Sequence, residues 1–316
     1  AGLVALVPAA AGMVRARTLH LVGGPRVLVV GTQVPPSLRV DSLRGAEPSL
    51  GQVQEALQVA PPGPWDLILL PEGAVPLVIG EPEWDAAVES LHTAAAELGS
   101  SLAFGTVGRA RNGSGDGPTN SAVLVSSGTP GVQRYDKVRL VPGMEAGVYF
   151  PGSGDRLLSA TGWDYGPLVC YESIYSRSAR RARNAGAVVL VNLTSDVWFG
   201  HPGSLVGALF LRQHPAHLVL RAVETRTSVA RAANGGYSLL LDPRGQLVNG
   251  PQPPGVGVIG GQLPVFSGRT LFSRTGDWVG PSAILLSFLI FWVRGRKGLS
   301  RTAPEVRPGS GSQAPG

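Results

Sequence analysis

Three residues in this chain carry, between them, the groups needed to make and break an acyl bond. The only cysteine among 316 residues, Cys170, closes the apolar run "PLVC". Glu72 follows "WDLILLP", so a carboxylate emerges directly from an apolar run, and Lys137 sits within "RYDKVRLVPG". A thiol becomes a strong nucleophile when a base removes its proton or a cation stabilises the thiolate. A carboxylate serves as that base when burial lifts its pKa towards neutrality. An ammonium steadies the thiolate and then the oxyanion of a tetrahedral intermediate. Glu72, Lys137 and Cys170 therefore suffice for acyl transfer through a thioester, with no cofactor and no metal. Singly, each has an ordinary structural reading: a loop carboxylate, a solvated strand-edge lysine, a small inert buried thiol. Glu172, two residues after Cys170, poses a difficulty. Its charge disfavours the thiolate unless a lysine offsets it or it acts on something else.

Such groups gather in α/β folds where strands end and loops begin, and all three candidates share that placement. "RVLVVGTQV" and "WDLILLPEG" read as strands, with a short helix at "SLGQVQEALQVA" between them. From Glu83 to Leu98, the residues Trp84, Val88, Leu91, Ala95 and Leu98 recur at steps of four and three, one apolar helix stripe. "SLAFGTVG", "NSAVLVSS" and "GVQRYDKVRLV" follow as strands, with "RNGSGDGPTN" a flexible loop by composition. The strand "YGPLVCYE" leads into a helix near "YSRSARRARNAG", and "AVVLVNLTSD" is a buried strand. A helix kinked at Pro215 spans about 204 to 226. "SVARAANGGYSLLLDPRGQLV" reads as two strands with a turn at "DPRG". Strands too apolar to have a wet face imply an α/β domain with covered sheets.

Hydrophobic residues make up 43% of the chain and charged residues 15%, a low charged share for a chain wetted all over. The run from Trp278 to Val293 holds no charge and then meets "RGRK". It is expected to form a transmembrane helix over 278–293, with interfacial tryptophans and a cytoplasmic flank at Arg294, Arg296 and Lys297. Residues before it then lie outside the cytoplasm. "AGLVALVPAAAGMVRAR" has its basic residues after the apolar ones, opposite to a signal peptide. Residues 1–25 accordingly read as the end of a truncated transmembrane helix and a linker. Residues 26–265 form the catalytic domain, 266–277 a linker, and 294–316 a basic, disordered tail.

The net charge of +6 admits nucleic acid or an anionic membrane as a partner. Arg177, Arg180, Arg181 and Arg183 fall on one predicted helix, the first three on one face. No aromatic-studded sheet or nucleic-acid motif accompanies them, so the face reads as solvated or as facing lipid headgroups. His214 and His217 stand three apart without a third metal ligand. A single cysteine excludes an intramolecular disulfide. "NLT" at 192–194 fits a glycosylation sequon, but ends a strand read as buried.

"LLPEGAVP", "YDKVRLVPG" and "GPLVCYES", in that order, resemble the three motifs of the nitrilase (carbon–nitrogen hydrolase) superfamily. The likeness is closest to its membrane branch, the apolipoprotein N-acyltransferases. "SDVWFG" and "RAVETRTSVARAANGGYSLLLDPRGQ" are similar to that branch's sequence after the cysteine. The resemblance covers roughly residues 26 to 297. It implies an α/β fold, a nitrilase-like αββα sandwich with a C-terminal transmembrane helix, held outside the bacterial cytoplasmic (inner) membrane, with the C-terminus cytoplasmic. It also implies Glu72 as general base, Lys137 as stabiliser of oxyanion and thiolate, and Cys170 as the acylated nucleophile. Glu145, Tyr171, Glu172 and Trp198 match supporting positions. The implied partners are a membrane phospholipid as acyl donor and a diacylglyceryl apolipoprotein as acceptor. Leu70 stands where the family has an aromatic residue, "VPGMEAG" replaces "VPFGE", and Ser195 replaces Asn, so the loop carrying Glu145 is expected to differ in shape. Two other readings fit the same residues: a nitrilase-like amidase or carbamoylase acting on small amides, and a non-catalytic binding module on a membrane stalk.

Overall fold

The computed structural model describes residues 19–35, 42–110, 117–126, 129–154, 156–199 and 203–299. The expected membrane-helix tail at the N-terminus therefore lies outside the described residues up to 18, and the basic tail from 300 onwards.

Alternate side chains of a strand point to opposite faces. In β1 (Arg26–Gly31), Val27 and Val29 enter one core while Leu28 and Val30 enter another, all fully buried. The chain continues through α1 (Ser42–Gln58), β2 (Leu67–Leu69), α2 (Pro82–Glu97), β3 (Ser101–Arg109), β4 (Pro118–Ser126) and β5 (Thr129–Asp136). Its second half runs β6 (Leu158–Ala160), β7 (Trp163–Val169), α3 (Ser176–Ala185), β8 (Val189–Ser195) and α4 (Leu205–Thr225). It ends with β9 (Ser228–Asn234), β10 (Ser238–Leu241), β11 (Leu247–Gln252), β12 (Gly257–Gln262), α5 (Leu271–Thr275) and α6 (Val279–Leu299).

Two six-stranded sheets result, in the orders β12-β1-β2-β3-β4-β5 and β11-β10-β9-β8-β7-β6. In each, three consecutive strands are parallel: β1, β2 and β3 in the first, β7, β8 and β9 in the second. Val27, Val29, Leu69, Val169, Val191 and Ala232 belong to the core shared by the two sheets. Leu28, Val30, Val53, Trp84 and Leu91 pack the first sheet against α1 and α2. Leu168, Leu190, Ala179 and Leu218 pack the second against α3 and α4. The layers are helix, sheet, sheet, helix, as the α/β reading expects. Each fully buried Leu, Ile or Val is worth about 1.5–3 kcal/mol, and the lone cysteine is free, so burial holds the fold.

The parallel strands bring their C-terminal ends to one edge of the sandwich. Asn234, the last residue of β9, ties the sheets together there. Its Oδ1 accepts from Thr32 Oγ1 at 2.9 Å and Val34 N at 2.7 Å, and its Nδ2 donates to Val34 O at 2.9 Å.

Several expectations are corrected. Strand β4 begins at Pro118, two residues before the expected start at Asn120, so Pro118 and Thr119 lie on a strand and not in the expected loop; residues 111–116 of that loop lie outside the described residues. Strand β5 ends at Asp136, which leaves Lys137 just beyond it. The segment read as one strand before "DPRG" is a hairpin of β9 and β10, because Gly235 turns the chain with φ 70°. Leu98 ends the apolar stripe of α2 exposed, being the residue that caps the helix. Helix α4, by contrast, falls within the expected 204 to 226 and holds Pro215 buried in its interior. Arg180 and Arg183 are not on a solvated face. Arg180 donates to the carbonyls of Phe272, Ser273 and Arg274, and Arg183 to those of Ala187, Phe266 and Gly268. These bonds fix a stretch expected to be a linker. Asn192 of the sequon is fully buried.

The chain divides into two compact units, with the boundary between Arg274 and Thr275. In the second, α6 is helical through the uncharged run, and its large apolar side chains, Ile284 to Val293, are exposed. Among the described residues no helix is long and apolar enough to cross a membrane.

Candidate active site

Glu72 is set by the way the chain leaves β2. Leu70 N donates to Ala103 O at 2.8 Å and Gly105 N to Pro71 O at 3.0 Å, which lays the turn after β2 across β3. A Cβ at position 105 would collide with Gly73 N and Glu72 Cα, so only glycine lets the two backbones cross.

Lys137 is fully buried. Its Nζ lies 2.8 Å from Glu145 Oε1 and 3.3 Å from Glu72 Oε1. Asn120 Nδ2 donates to the same two oxygens, at 2.7 Å to Glu72 and 2.8 Å to Glu145. Glu145 Oε2 accepts from Val141 N at 2.8 Å, so its altered loop still delivers the carboxylate to Lys137. Burial alone would lower the lysine's pKa. The charge of Glu72, with that of Glu145, outweighs it and raises the pKa well above the ordinary value, so Lys137 is a cation.

Cys170 opens a 3₁₀ turn, Cys170–Ile174, directly after β7. Its φ of 48° lies in the left-handed region, which costs a non-glycine residue on the order of 1–3 kcal/mol. A neighbour braces that conformation: Cys170 O accepts from Ser173 Oγ at 2.9 Å. Burial pushes the thiol up to about 12, with Glu72 and Asp196 adding to the rise while Lys137 and a Thr194 hydrogen bond oppose it. Cys170 at rest is thus a neutral thiol under the influence of two carboxylates and one ammonium.

Glu172 resolves the difficulty its position raised. Its carboxylate is fully buried and accepts from Tyr135 Oη, Val138 N, Arg139 N and Val169 N, at 2.8–3.2 Å. Burial raises its pKa, and these donors and Lys137 counter the rise. Two of the amides follow Lys137 and one precedes Cys170, so Glu172 fastens the lysine's loop to the nucleophile's turn.

The sequence reading missed the group behind Cys170. Asp196, at the end of β8, is fully buried and takes bonds from Arg231 Nη2, Thr194 Oγ1 and His214 Nδ1. Burial works against its charge, but Arg231 and then His214 hold its carboxyl down to about 2. Facing a carboxylate, His214 Nδ1 carries a proton, and its Nε2 lies 3.0 Å from Ser173 Oγ. Asp196 stands in the "SDVWFG" segment, the signal that could have found it. Nothing in the spacing of His214 and His217 pointed to this use. Among the described residues, no group of three or more His, Cys, Asp or Glu is placed to hold a metal ion.

Cys170 opens on a cleft of about 250 Å³ walled mainly by apolar side chains, among them Met144, Tyr171, Trp198, Phe199 and Phe210. Tyr171 stacks edge-on to Tyr175, and Trp198 is half exposed at the wall. At the start of α4, Leu205, Val206, Leu209 and Phe210 are exposed. Glu72, Lys137 and Glu145 thus meet directly, Cys170 lies within reach of their charges, and Tyr171 and Trp198 line the cleft. Glu172 faces away from it.

A thiol, an ammonium and a carboxylate converging at the strand ends of a four-layer sandwich define a cysteine enzyme of the nitrilase type. Residues 33–265 match the model of the carbon-nitrogen hydrolase family, and the chain belongs to it. Curated relatives bear out the narrower resemblance, since they are named apolipoprotein N-acyltransferase. The one from Geobacter metallireducens is 31% identical over 233 residues, covering 68% of this chain and 43% of the relative. That from Brucella melitensis biotype 1 is 31% identical over 270 residues, covering 76% and 47%. The chain spans about half the length of the curated relatives it matches. Among solved structures, a mutant of the amidase from Nesterenkonia sp. AN1 carries the acetamide moiety of fluoroacetamide on its active-site cysteine. It superimposes with a TM-score of 0.58 at 21% identity, covering 77% of this chain and 91% of that one. The crystal structure of an amidase from Nesterenkonia sp. gives 0.56 at 22% identity, covering 78% and 93%. At these identities the likeness establishes the fold.

Proposed function

We propose that this chain carries the catalytic part of an N-acyltransferase that moves a fatty acyl chain from a phospholipid, through a thioester on Cys170, to the α-amine of the lipidated N-terminal cysteine of an apolipoprotein. The observation that carries this reading is the apolar cleft opening directly on Cys170, which suits an acyl chain better than a small polar amide. The names of the curated relatives support it.

In the first step Glu72 takes the Sγ proton as Sγ attacks the ester carbonyl. Lys137 holds the resulting oxyanion, its own position fixed by Glu145. Collapse breaks the ester C–O bond, and the leaving alkoxide takes the proton from Glu72 and departs as lysophospholipid. The acceptor amine then attacks the thioester, Glu72 accepts the amine proton, and the thiolate leaves and is reprotonated. Such a cycle is ping-pong. Both substrates are lipids, so the reading places the catalytic unit at the outer side of the bacterial inner membrane with α6 embedded and its basic end cytoplasmic. The sixteen uncharged residues from Trp278 to Val293 fall just short of the roughly 17–25 that span a bilayer. The arginines just beyond them extend the reach by snorkelling.

A second reading, hydrolysis of small amides, is favoured by the amidase likeness and uses the same triad with water replacing the amine. One experiment separates them. The protein, reconstituted in vesicles alone and fused to the further segment of a longer relative, is given acyl-labelled phospholipid and its intact mass is measured. The acyltransferase reading expects a hydroxylamine-sensitive adduct, absent in Cys170→Ala. No adduct together with turnover of small amides overturns it in favour of the amidase. Silence in both assays leaves the membrane-anchored binding module.

A further inference from the structure

A second recess, of about 140 Å³, is lined by α3 and by Glu172, which does not line the cleft. Arg139, Arg156, Arg177 and Arg181 line it, together with Ser178. Arg177 and Arg181 stand four apart on α3, where like charges repel. Two more arginines from the loop after β5 face the same space. All four are exposed, and among the described residues none forms an ion pair with a carboxylate. The one carboxylate in the lining, Glu172, is already taken up by its four donors. The other two arginines of the helix, Arg180 and Arg183, are spent on backbone carbonyls.

The recess is built, not merely crowded. A Cβ at Gly154, whose φ is 79°, would collide with Arg181 Nη1, so glycine there admits the guanidinium over the loop backbone. The Arg139 guanidinium lies over the Tyr175 ring at 5.3 Å, which holds its fork in place. Planar guanidiniums converging without a counter-ion are the arrangement that binds phosphate oxygens bidentately.

We propose that this recess binds a phosphate group. Phosphate oxygens would offset the repulsion among the four arginines and accept from their forks and from Ser178 Oγ. The group is carried by a free phosphate ester or by a phospholipid headgroup. The recess and the Cys170 cleft share no lining residue. Binding here therefore goes beyond the acyl-transfer reading and requires none of its chemistry.

The test uses the full chain, unlabelled and with Cys170 intact. Calorimetric titration with inorganic phosphate and with glycerol 1-phosphate is compared between the parent protein and the double variant Arg177→Gln/Arg181→Gln. In parallel, flotation compares phosphatidylglycerol vesicles with phosphatidylcholine vesicles, so that binding through α6 cancels. Arg156→Gln alone serves as a second variant, and near-UV circular dichroism checks the fold of both. Saturable phosphate binding, weakened at least tenfold in the double variant and by added salt, assigns the site to soluble phosphates. No phosphate binding, but a preference for phosphatidylglycerol that the variants lose, assigns it to a headgroup. Parent and variants behaving alike in both arms overturns the proposal, and that result leaves the acyl-adduct experiment unaffected.

Discussion

The Lys137 ammonium lies closer to Glu145, at 2.8 Å, than to Glu72, at 3.3 Å. Glu145 is thus the nearer partner of the lysine, and Asn120 Nδ2 bridges the two carboxylates by donating to both. Removing the cation in Lys137→Met leaves two largely buried carboxylates facing each other. Breaking a buried pair in this way costs about 3–5 kcal/mol, and loss of an oxyanion donor costs on the order of 10²–10³ in rate. Urea denaturation read by fluorescence, beside single-turnover acylation, should show both losses. A variant of unchanged stability would mean that the lysine is not the counter-ion of this pair.

Glu72→Gln should move two readouts in opposite directions. The Glu72 charge helps to push the Cys170 thiol up to about 12, so its removal lowers the thiol pKa and speeds alkylation by iodoacetamide at pH 8. The same change deletes the proton acceptor, and acyl transfer should fall by roughly 10²–10⁴. Alkylation and acylation slowing together would show that Glu72 acts by holding the fold.

Glu172→Gln replaces a carboxylate that only accepts with an amide whose NH₂ must face backbone N–H groups. At least one of the Val138, Arg139 and Val169 amides then loses its partner, at about 1–3 kcal/mol. Thermal melting should fall accordingly. The acylation rate should fall too, because the turn that carries Cys170 loses its link to the loop after Lys137. Glu172→Ala retaining full acylation would show that the link is dispensable.

Asp196 supplies a stability signature in acid. Its carboxyl is held at about 2, below the usual value of about 3.9. A depressed carboxylate contributes stability that is present above the unfolded pKa and lost as pH falls through the folded one. The parent should therefore exceed Asp196→Asn by on the order of 2–3 kcal/mol near pH 6, and the gap should close between about pH 4 and pH 2. A gap that stays constant through that window would mean that Arg231 does not hold the charge.

The features legible in the sequence were set by residue type and period. The alternation in "RVLVVG" placed Val27 and Leu28 in different cores, and the apolar runs ahead of Glu72 and Cys170 placed both at strand ends. The features that were not legible depend on contacts far apart in the chain. Asn120 sits among turn-forming residues, yet it pairs on the sheet and bridges carboxylates 48 and 25 positions away. Arg180 and Arg183 carry the charge of a solvated face, but carbonyls more than 80 residues distant claim them. The spacing of His214 suggests no use for it, and its role depends on a carboxylate at the end of a strand 18 residues earlier. The charge on Glu172 is visible in the sequence, whereas the four donors that absorb it are not.

The two sheets divide the chemistry between them: Glu72 and Lys137 arrive from the first and Cys170 from the second. The stretch between Glu145 and β6 therefore separates Glu72 and Lys137, the proposed base and cation, from Cys170, the proposed nucleophile. Strand β12, from the far end of the catalytic unit, nevertheless closes the edge of the first sheet beside β1. Severed within that stretch, the protein becomes two pieces, each inert alone. The later piece carries the strand that completes its mate, so mixing them makes regained acylation a direct gauge of how well two separately made halves find each other.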